Sequence, residues 1–245
     1  MFDAVVVIPV FNHGAPAARL VQAVRQLGLP CLLVDDGSEA RCAALLDEAA
    51  NQPGVRLVRL PQNRGKGTAV SAGLRAALQL GHTHAVQIDA DGQHDIGDIS
   101  AFVELARRNP GAVICGVPIY DASVPRARQF ARYATHVWVW INTLSLDIRD
   151  SMCGFRAYPL AAVISLLDSV RLGSRMEFDS EVLVRLHWRG VQIVNRPTRV
   201  TYPSDGVSHF RLWRDNVLIT LMHARLFFGM VVRLPWLLWR RTIST

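Results

Sequence analysis

Two aspartates, Asp89 and Asp91, have the residue type and spacing that best fit a chemical role in this 245-residue sequence. They follow a short strand-like run, residues 85–88, and precede Gly92 and Gln93. Carboxylate and amide oxygens are hard ligands, and Mg²⁺ and Mn²⁺ prefer them while also keeping waters and binding substrate phosphates. The spacing therefore predicts a Mg²⁺ or Mn²⁺ site formed by Asp89, Asp91 and Gln93. The alternative is a polar loop that only caps the next helix.

Alternating strand and helix patterns surround this stretch. The predicted strands are residues 4–10, 31–34, 55–60, 85–88 and 112–117, and the predicted helices between the first four are residues 16–27, 39–50 and 67–80. Such alternation predicts an α/β protein with a doubly wound, mostly parallel sheet and flanking helices. With half of its residues hydrophobic, the chain can bury one large core. We therefore predict a main domain over residues 1–210.

Polar residues follow each of the first four predicted strands. They are Asn12, Asp35 and Asp36, Gly65 and Lys66, and Asp89 and Asp91. Since the carboxyl ends of parallel strands meet at one edge of a sheet, these residues should line one crevice that suits a nucleotide diphosphate. Taken singly, each aspartate could be a helix cap and the glycines a turn. The glycine spacing fits neither a P-loop nor a dinucleotide-binding loop, which argues against an ATPase or a dehydrogenase.

Four motifs in this order resemble glycosyltransferase family 2, which has the GT-A fold, and most of all its dolichyl- or polyprenyl-phosphate sugar synthase branch. They are Pro9-Val10-Phe11-Asn12, Val34-Asp35-Asp36-Gly37-Ser38, Asn63-Arg64-Gly65-Lys66-Gly67-Thr68-Ala69 and Asp89-Ala90-Asp91-Gly92-Gln93-His94. The resemblance implies a UDP- or GDP-linked sugar donor and a metal on its diphosphate. It assigns the donor to Pro9, Phe11, Asn12, Asp35, Asp36, Gly65, Lys66 and Asp89, and the metal to Asp89, Asp91 and Gln93.

Basic residues after the fifth predicted strand provide a second candidate site. Arg128 and Arg132 precede a stretch with helical spacing, and either guanidinium could bind a substrate phosphate. The alternative is a helix with a solvated basic edge. Further along, Glu177 and Asp179 stand near a predicted helix start, where they could simply complement the helix dipole.

The resemblance extends to two later segments. Residues 150–156 match the family's Gly-Phe-Arg segment near the reaction centre, which adds Arg156 to the phosphate or acceptor residues and makes Asp150 the candidate general base. Asp150 could equally cap a turn. Ser208 and His209 resemble a loop that touches the donor phosphates, with His209 in place of the usual lysine.

The C-terminal segment, residues 211–245, is predicted to be amphipathic and membrane-associated. Residues from Arg196 onward carry eight arginines and two acids, so most of the net charge of +7 lies there. The charge-free run at residues 226–232, like the others in this segment, is shorter than a bilayer requires. We therefore expect a helix at an anionic membrane surface, with Trp236 and Trp239 at headgroup depth and Pro235 bending the chain. The alternative is packing onto the main domain or a partner subunit.

Four cysteines without a C-x-x-C pair and an N-terminus without a leader pattern predict a reduced, cytoplasmic protein, peripheral on the inner face of the membrane. No nucleic-acid motif accompanies the charge, so no nucleic-acid partner is expected. The sequence predicts a metal-dependent inverting glycosyltransferase that acts on a lipid-linked acceptor, with polyprenyl phosphate favoured and a lipid hydroxyl as the alternative. A nucleotidyltransferase and an inactive membrane adaptor are the competing classes.

Overall fold

The computed structural model describes residues 1–120, 126–201 and 211–243. The strands are β1 Ala4–Val10, β2 Cys31–Asp35, β3 Val55–Arg59, β4 His84–Gln87, β5 Val113–Tyr120, β6 Arg156–Pro159 and β7 Ile193–Val200. The helices are α1 Gly14–Gln26, α2 Ala40–Ala50, α3 Lys66–Gln79, α4 Ile99–Arg108, α5 Arg126–Thr143, α6 Leu160–Ser169, α7 Phe178–Trp188 and α8 Leu212–Ile243.

The strands form one sheet in the order β3-β2-β1-β4-β6-β5-β7. Within the described ranges β6 is antiparallel to both of its neighbours, whereas the other pairs are parallel. The predicted doubly wound, mostly parallel sheet is therefore confirmed. After β3 the chain returns to the far side of β1, and this reversal between β1 and β4 opens a crevice at the carboxyl ends of the strands.

Alternation along β1 explains why helices cover both faces of the sheet. Val5 and Val7 belong to one hydrophobic cluster, and Val6 and Ile8 belong to a second cluster on the opposite face. Successive side chains of a strand point to opposite faces, so a continuous run of apolar residues must be covered twice. The four cysteines are buried and unpaired, as the predicted reduced state requires.

Helix α8 has two different faces. Met222, Leu226, Met230 and Leu237 are buried in the core cluster that also includes residues of α5 and α7. Large apolar side chains on the rest of α8 are exposed, among them Trp213, Leu221, Phe228, Val232, Trp236 and Trp239. Part of the helix thus packs on the main domain, which was the alternative prediction for this segment.

The helix differs from the predicted segment in two respects. It continues through Pro235 as one helix of 32 residues. By length and composition alone, Leu212–Arg240 could cross a membrane, which the short charge-free run had not indicated, and 22% of its most apolar window is buried against the protein. The predicted domain boundary at residue 210 falls outside the described ranges.

Candidate active site

Asp36, after β2, organises the loop that follows β3. Its carboxylate accepts hydrogen bonds from Asn63 Nδ2 at 3.0 Å, Arg64 N at 2.7 Å and Gly65 N at 2.8 Å. Burial raises the pKa of Asp36, and the two backbone hydrogen bonds oppose that rise. Gly65 has a φ of +100°, and a Cβ there would lie 2.5 Å from Ser174 O, so this position requires glycine.

The remaining residues of the first two motifs connect neighbouring loops. Asn12 Oδ1 accepts a hydrogen bond from Glu39 N at 2.9 Å, and Asn12 N donates to Ser38 Oγ at 3.0 Å. Asp35 is 1% exposed and accepts hydrogen bonds from Arg59 Nε and Ser38 N. Asp35 therefore holds its own loop rather than facing the crevice. Pro9 and Phe11 are partly exposed.

Lys66, at the start of α3, lies between two carboxylates. Its Nζ is 2.7 Å from Asp89 Oδ2 and 2.8 Å from Asp179 Oδ2. Burial would lower the pKa of Lys66, but the charges of Asp179 and Asp89 outweigh it and hold that pKa above its usual value. Lys66 therefore stays protonated. We call Lys66, Asp89, Asp91 and Asp179 the Lys66 site.

Asp89 and Asp91 have different surroundings. Burial would raise the pKa of Asp89, but the charge of Lys66 lowers it below its usual value. The pKa of Asp91 is raised, by burial first and then by the charge of Asp89. Asp91 Oδ1 accepts a hydrogen bond from Gln93 N at 3.0 Å, which shapes the loop. The site therefore holds more carboxylate charge than its lysine compensates.

These residues fit a divalent cation. Asp89 Oδ1 is buried and accepts no hydrogen bond from the residues that the structure describes. A cation would satisfy that oxygen, and the carboxylate of Asp91 and the amide oxygen of Gln93 have suitable chemistry to join it. No group of three or more His, Cys, Asp or Glu residues in the described part of the chain is arranged as a metal cluster. Two carboxylates and one amide oxygen would suit a Mg²⁺ site of the kind that waters and substrate phosphates complete.

A second group of charged residues lines an open groove of about 430 Å³. The groove is formed by Tyr120, Arg132, Tyr133, His136 and Asp150, and we call it the Arg132 groove. Arg132 Nε and Nη2 each donate to an oxygen of Asp150 at 2.6 Å, and His136 Nε2 lies 3.2 Å from Asp150 Oδ2.

Asp150 is saturated with hydrogen-bond donors. Besides Arg132 and His136, the backbone N–H groups of Met152 and Cys153 donate to its Oδ1 at 2.9 Å and 2.8 Å. Burial would raise the pKa of Asp150, but the hydrogen bond from His136 and the charge of Arg132 hold it far below the usual value. A carboxylate stabilised in this way is a weak base.

His94 is close enough to both groups to be affected by their charges. Burial lowers its pKa, so the ring is neutral, while the charges of Asp89 and Asp91 oppose that shift and the charge of Arg132 adds to it. The ring packs against Phe155 at 5.4 Å between centroids. Charged residues of the Lys66 site and of the Arg132 groove therefore both influence this imidazole.

The other predicted phosphate residues have different positions. Arg156 has no exposed area, and its guanidinium donates to Tyr158 Oη, Asp179 O and Ser151 O, so it stabilises the interior and does not line the groove. Ser208 and His209 lie outside the described residues, and for Arg128 the structure describes only its position in α5.

Three further residues belong to the site and were not predicted there. His136 contacts Asp150, and Asp179 contacts Lys66. A Cβ on Gly154 would overlap the carboxylate of Asp89, so glycine is required for close approach. The sequence signal for Asp179 was its position near a helix start, which had a simpler explanation in the helix dipole. His136 had no local signal, because its partner is 14 residues further along the chain.

Comparisons with known proteins identify the family. The family model described as glycosyl transferase family 2 matches residues 5–163. The chain therefore belongs to glycosyltransferase family 2, and it is a glycosyltransferase that acts on a nucleotide sugar. The resemblance drawn from the four sequence motifs is confirmed.

Two curated relatives act on polyprenyl phosphates by name. A dolichyl-phosphate beta-glucosyltransferase of Dictyostelium discoideum is 28% identical over 62% of this chain and 49% of its own length. An undecaprenyl-phosphate 4-deoxy-4-formamido-L-arabinose transferase of Pectobacterium carotovorum is 32% identical over 66% of this chain and 50% of its own length. The chain thus spans about half the length of these two relatives.

A solved structure supports the fold. Glucosyl-3-phosphoglycerate synthase from Mycobacterium tuberculosis, in complex with Mn²⁺, UDP and phosphoglyceric acid, superposes with a TM-score of 0.68. The match covers 94% of this chain and 78% of that protein at 15% identity. The GT-A architecture is therefore confirmed.

Proposed function

We propose that this enzyme transfers a sugar, with inversion and with the help of Mg²⁺ or Mn²⁺, from a UDP- or GDP-linked donor to a polyprenyl phosphate at the cytoplasmic face of a membrane. The observation that carries the choice of acceptor is the engagement of Asp150 in the Arg132 groove. Both of its oxygens accept hydrogen bonds, and its pKa is held low.

The Lys66 site would receive the donor. Asp89, Asp91 and Gln93 would hold the cation, which when bound would stabilise the negative charge that develops on the leaving diphosphate. Asp36 fixes the neighbouring loop through Asn63 and the backbone, so the wall of the nucleotide pocket is preorganised. The solved relative that contains Mn²⁺ and UDP supports this assignment.

The Arg132 groove would receive the acceptor. Arg132 has N–H groups beyond the two that donate to Asp150, and such groups match phosphate oxygens. A phosphate is already an anion at neutral pH. It can attack the anomeric carbon without losing a proton, whereas a hydroxyl needs a base. Because Asp150 is a weak base, the groove favours a phosphate. The names of the two curated relatives support the same acceptor class.

Membrane contact would involve the exposed face of α8. Trp236 and Trp239 are 48% and 55% exposed, and their rings contact each other at 5.1 Å between centroids. Apolar and aromatic side chains of this kind bury themselves at the headgroup boundary. An enzyme with a lipid-linked acceptor needs such contact, because the acceptor does not leave the membrane.

The proposal can be tested with the full chain and a panel of UDP- and GDP-sugars. Each donor would be offered with polyprenyl phosphate or with the matching polyprenol in vesicles, with and without Mn²⁺. We expect nucleoside diphosphate release only with the phosphate acceptor and the metal. Equal turnover on the polyprenol would replace the proposed acceptor by a hydroxyl. Release of pyrophosphate would indicate a nucleotidyltransferase, and vesicle binding without any product would indicate an inactive adaptor.

A further inference from the structure

Asp179 is a buried carboxylate in the first turn of α7 and is 4% exposed. Its Oδ2 lies 2.8 Å from Lys66 Nζ, and the same nitrogen lies 2.7 Å from Asp89 Oδ2. One ammonium group therefore serves two carboxylates that are 90 residues apart in the sequence. Lys66 therefore links the loop that carries Asp89 to helix α7.

The backbone holds Asp179 rigidly. Arg156, which has no exposed area, donates from Nη1 to Asp179 O at 2.6 Å and from Nη2 to Ser151 O at 2.8 Å. Ser180 Oγ also donates to Ser151 O, at 3.2 Å. The start of α7 is thus tied to the segment that precedes β6. These contacts fix the backbone that carries Asp179, and Arg156 Nη1 also lies 3.8 Å from Asp179 Oδ1.

The position of Lys66 determines which oxygen of Asp89 is available. Lys66 occupies Oδ2, while Gly154 packs against the carboxylate so closely that a Cβ there would overlap it. Oδ1 is buried and has no partner within the described ranges. If Asp179 did not share the lysine, the full positive charge of Lys66 would fall on Asp89 and would oppose a second cation there.

We propose that Asp179 is a positioning residue of the donor site: by sharing Lys66, it keeps the lysine on Asp89 Oδ2 and leaves Oδ1 to a divalent cation. The proposal rests on the proposed function, since it assumes that a metal binds Asp89. It assigns to α7 a role in metal affinity although α7 supplies no ligand.

The experiment measures Mn²⁺ binding to the full chain without donor, from the signal of free Mn²⁺ in electron paramagnetic resonance. UDP affinity is measured in parallel, with and without Mn²⁺. Asp179→Asn removes the charge but keeps the shape. The matched control is Glu181→Gln, because Glu181 is a fully buried carboxylate in the same helix that pairs with Arg185 instead.

We expect Asp179→Asn to weaken Mn²⁺ binding about tenfold or more, the range seen for partners of metal ligands. UDP affinity without metal should change less than about twofold, and Glu181→Gln should leave both affinities unchanged. An unchanged Mn²⁺ affinity in Asp179→Asn, or an equal loss in Glu181→Gln, would overturn the proposal. Equal UDP affinity with and without Mn²⁺ in the wild type would contradict the proposed metal-dependent function itself.

A double-mutant cycle tests whether Asp179 acts through its contact with Lys66 or only through its own negative charge. In a Lys66→Met background, Asp179→Asn should cost at least about fivefold less Mn²⁺ affinity than it costs with Lys66 present. Equal losses in both backgrounds would mean that Asp179 acts only through its own charge, which would also overturn the proposal. If the asparagine variant does not fold, Asp179→Ser, which also removes the charge, replaces it in the cycle, and Asp179→Glu serves as the charge-keeping control. The glutamate keeps the charge, so Mn²⁺ affinity should stay within about threefold of the wild type.

Discussion

At the Lys66 site one lysine faces three carboxylates, whereas in the Arg132 groove one carboxylate receives five hydrogen bonds and ion-pair contacts from its surroundings. In the part of the chain that the structure describes, the first site has buried carboxylate oxygens without a hydrogen-bond donor, whereas both oxygens of Asp150 in the second site are engaged. Charges of both sites act on the buried ring of His94. The first site therefore suits a cation, and under the proposed function the second would receive the phosphate of the acceptor.

The largest expected effect is at the Lys66 site. Asp91→Asn should lower activity about 100-fold or more, because the metal loses a charged ligand and the leaving diphosphate loses its counter-charge. The amide oxygen can still accept the hydrogen bond from Gln93 N, so the loop should keep its shape. UDP titrations with and without Mn²⁺ would check this, and the tightening by Mn²⁺ should disappear. If that tightening persists in the variant, Asp91 is not a ligand.

Arg132→Met should have the next largest effect, and it should act in the Arg132 groove. The KM for the lipid acceptor should rise about 30-fold, because the charged group proposed to bind the acceptor phosphate is lost. UDP affinity should not change. Steady-state kinetics with vesicles of varied acceptor content, together with UDP titration, would measure both. If UDP affinity falls by the same factor as the acceptor KM rises, Arg132 does not distinguish the acceptor from the donor.

A lower pH should destabilise the packing of α8 against α5, the helix that carries Arg132. His223 of α8 is 5% exposed, and its Nδ1 lies 3.3 Å from Asn142 Nδ2 of α5, the helix that carries Arg132. Burial lowers the pKa of His223 to about 4. The unfolded chain binds the proton near pH 6.5 and the folded chain does not, so stability is present above that pH and is lost as the pH falls toward 4.

Between pH 7 and pH 5 this difference amounts to about 2 kcal/mol in the free energy of unfolding. His223→Gln should remove most of that dependence, as urea unfolding at the two pH values would show. The control is His82→Gln, whose ring contacts the exposed Asp3. An unchanged pH dependence in His223→Gln would show that this histidine does not couple α8 to α5.

Asp150→Asn separates two roles of the same carboxylate. If Asp150 only holds Arg132 and His136, the variant should raise the acceptor KM about tenfold and change kcat little. A general base would instead cost orders of magnitude in kcat. Kinetics with the phosphate acceptor at saturation would decide, and a large fall in kcat would favour a hydroxyl acceptor.

The smallest expected effect is on membrane binding. Arg225 Nη2 lies 3.9 Å from Glu181 Oε2, and the Arg233 guanidinium lies over Trp188 at 4.9 Å. These arginines contact α7, so salt should weaken binding to anionic vesicles only slightly. Trp236→Ser with Trp239→Ser should reduce vesicle binding about tenfold, because their burial is lost. Sedimentation with vesicles would measure it, and Leu78→Ser, an exposed leucine of α3, is the control.

The sequence predicted the fold well where the chain repeats one local pattern. The strands β1 to β4 each combine an apolar run with polar residues at its end, and both signals are local. The antiparallel β6, Arg-Ala-Tyr-Pro, was missed because it has no apolar run, and its neighbours in the sheet come from distant parts of the sequence.

The site was predictable only in part, for a related reason. Asp89, Asp91 and Lys66 follow strand ends, so the parallel sheet alone brings them together. Asp179 and His136 enter the site from helices, and their orientation depends on packing that no local spacing shows. Asp35 and Arg156 were assigned to substrates but serve the interior, because a charged residue in a motif can stabilise the loop that carries it.

The reversed direction of β6 also affects how this architecture can change during evolution. The chain reaches the catalytic edge before β6, not after it, so the segment from Asp150 to Phe155 is clamped by the groove at one end and by the sheet at the other. An insertion in this segment would shift the pairing of β6 with β4 and would not simply lengthen a surface loop. We therefore expect length variation among relatives to accumulate elsewhere and this segment to keep its length.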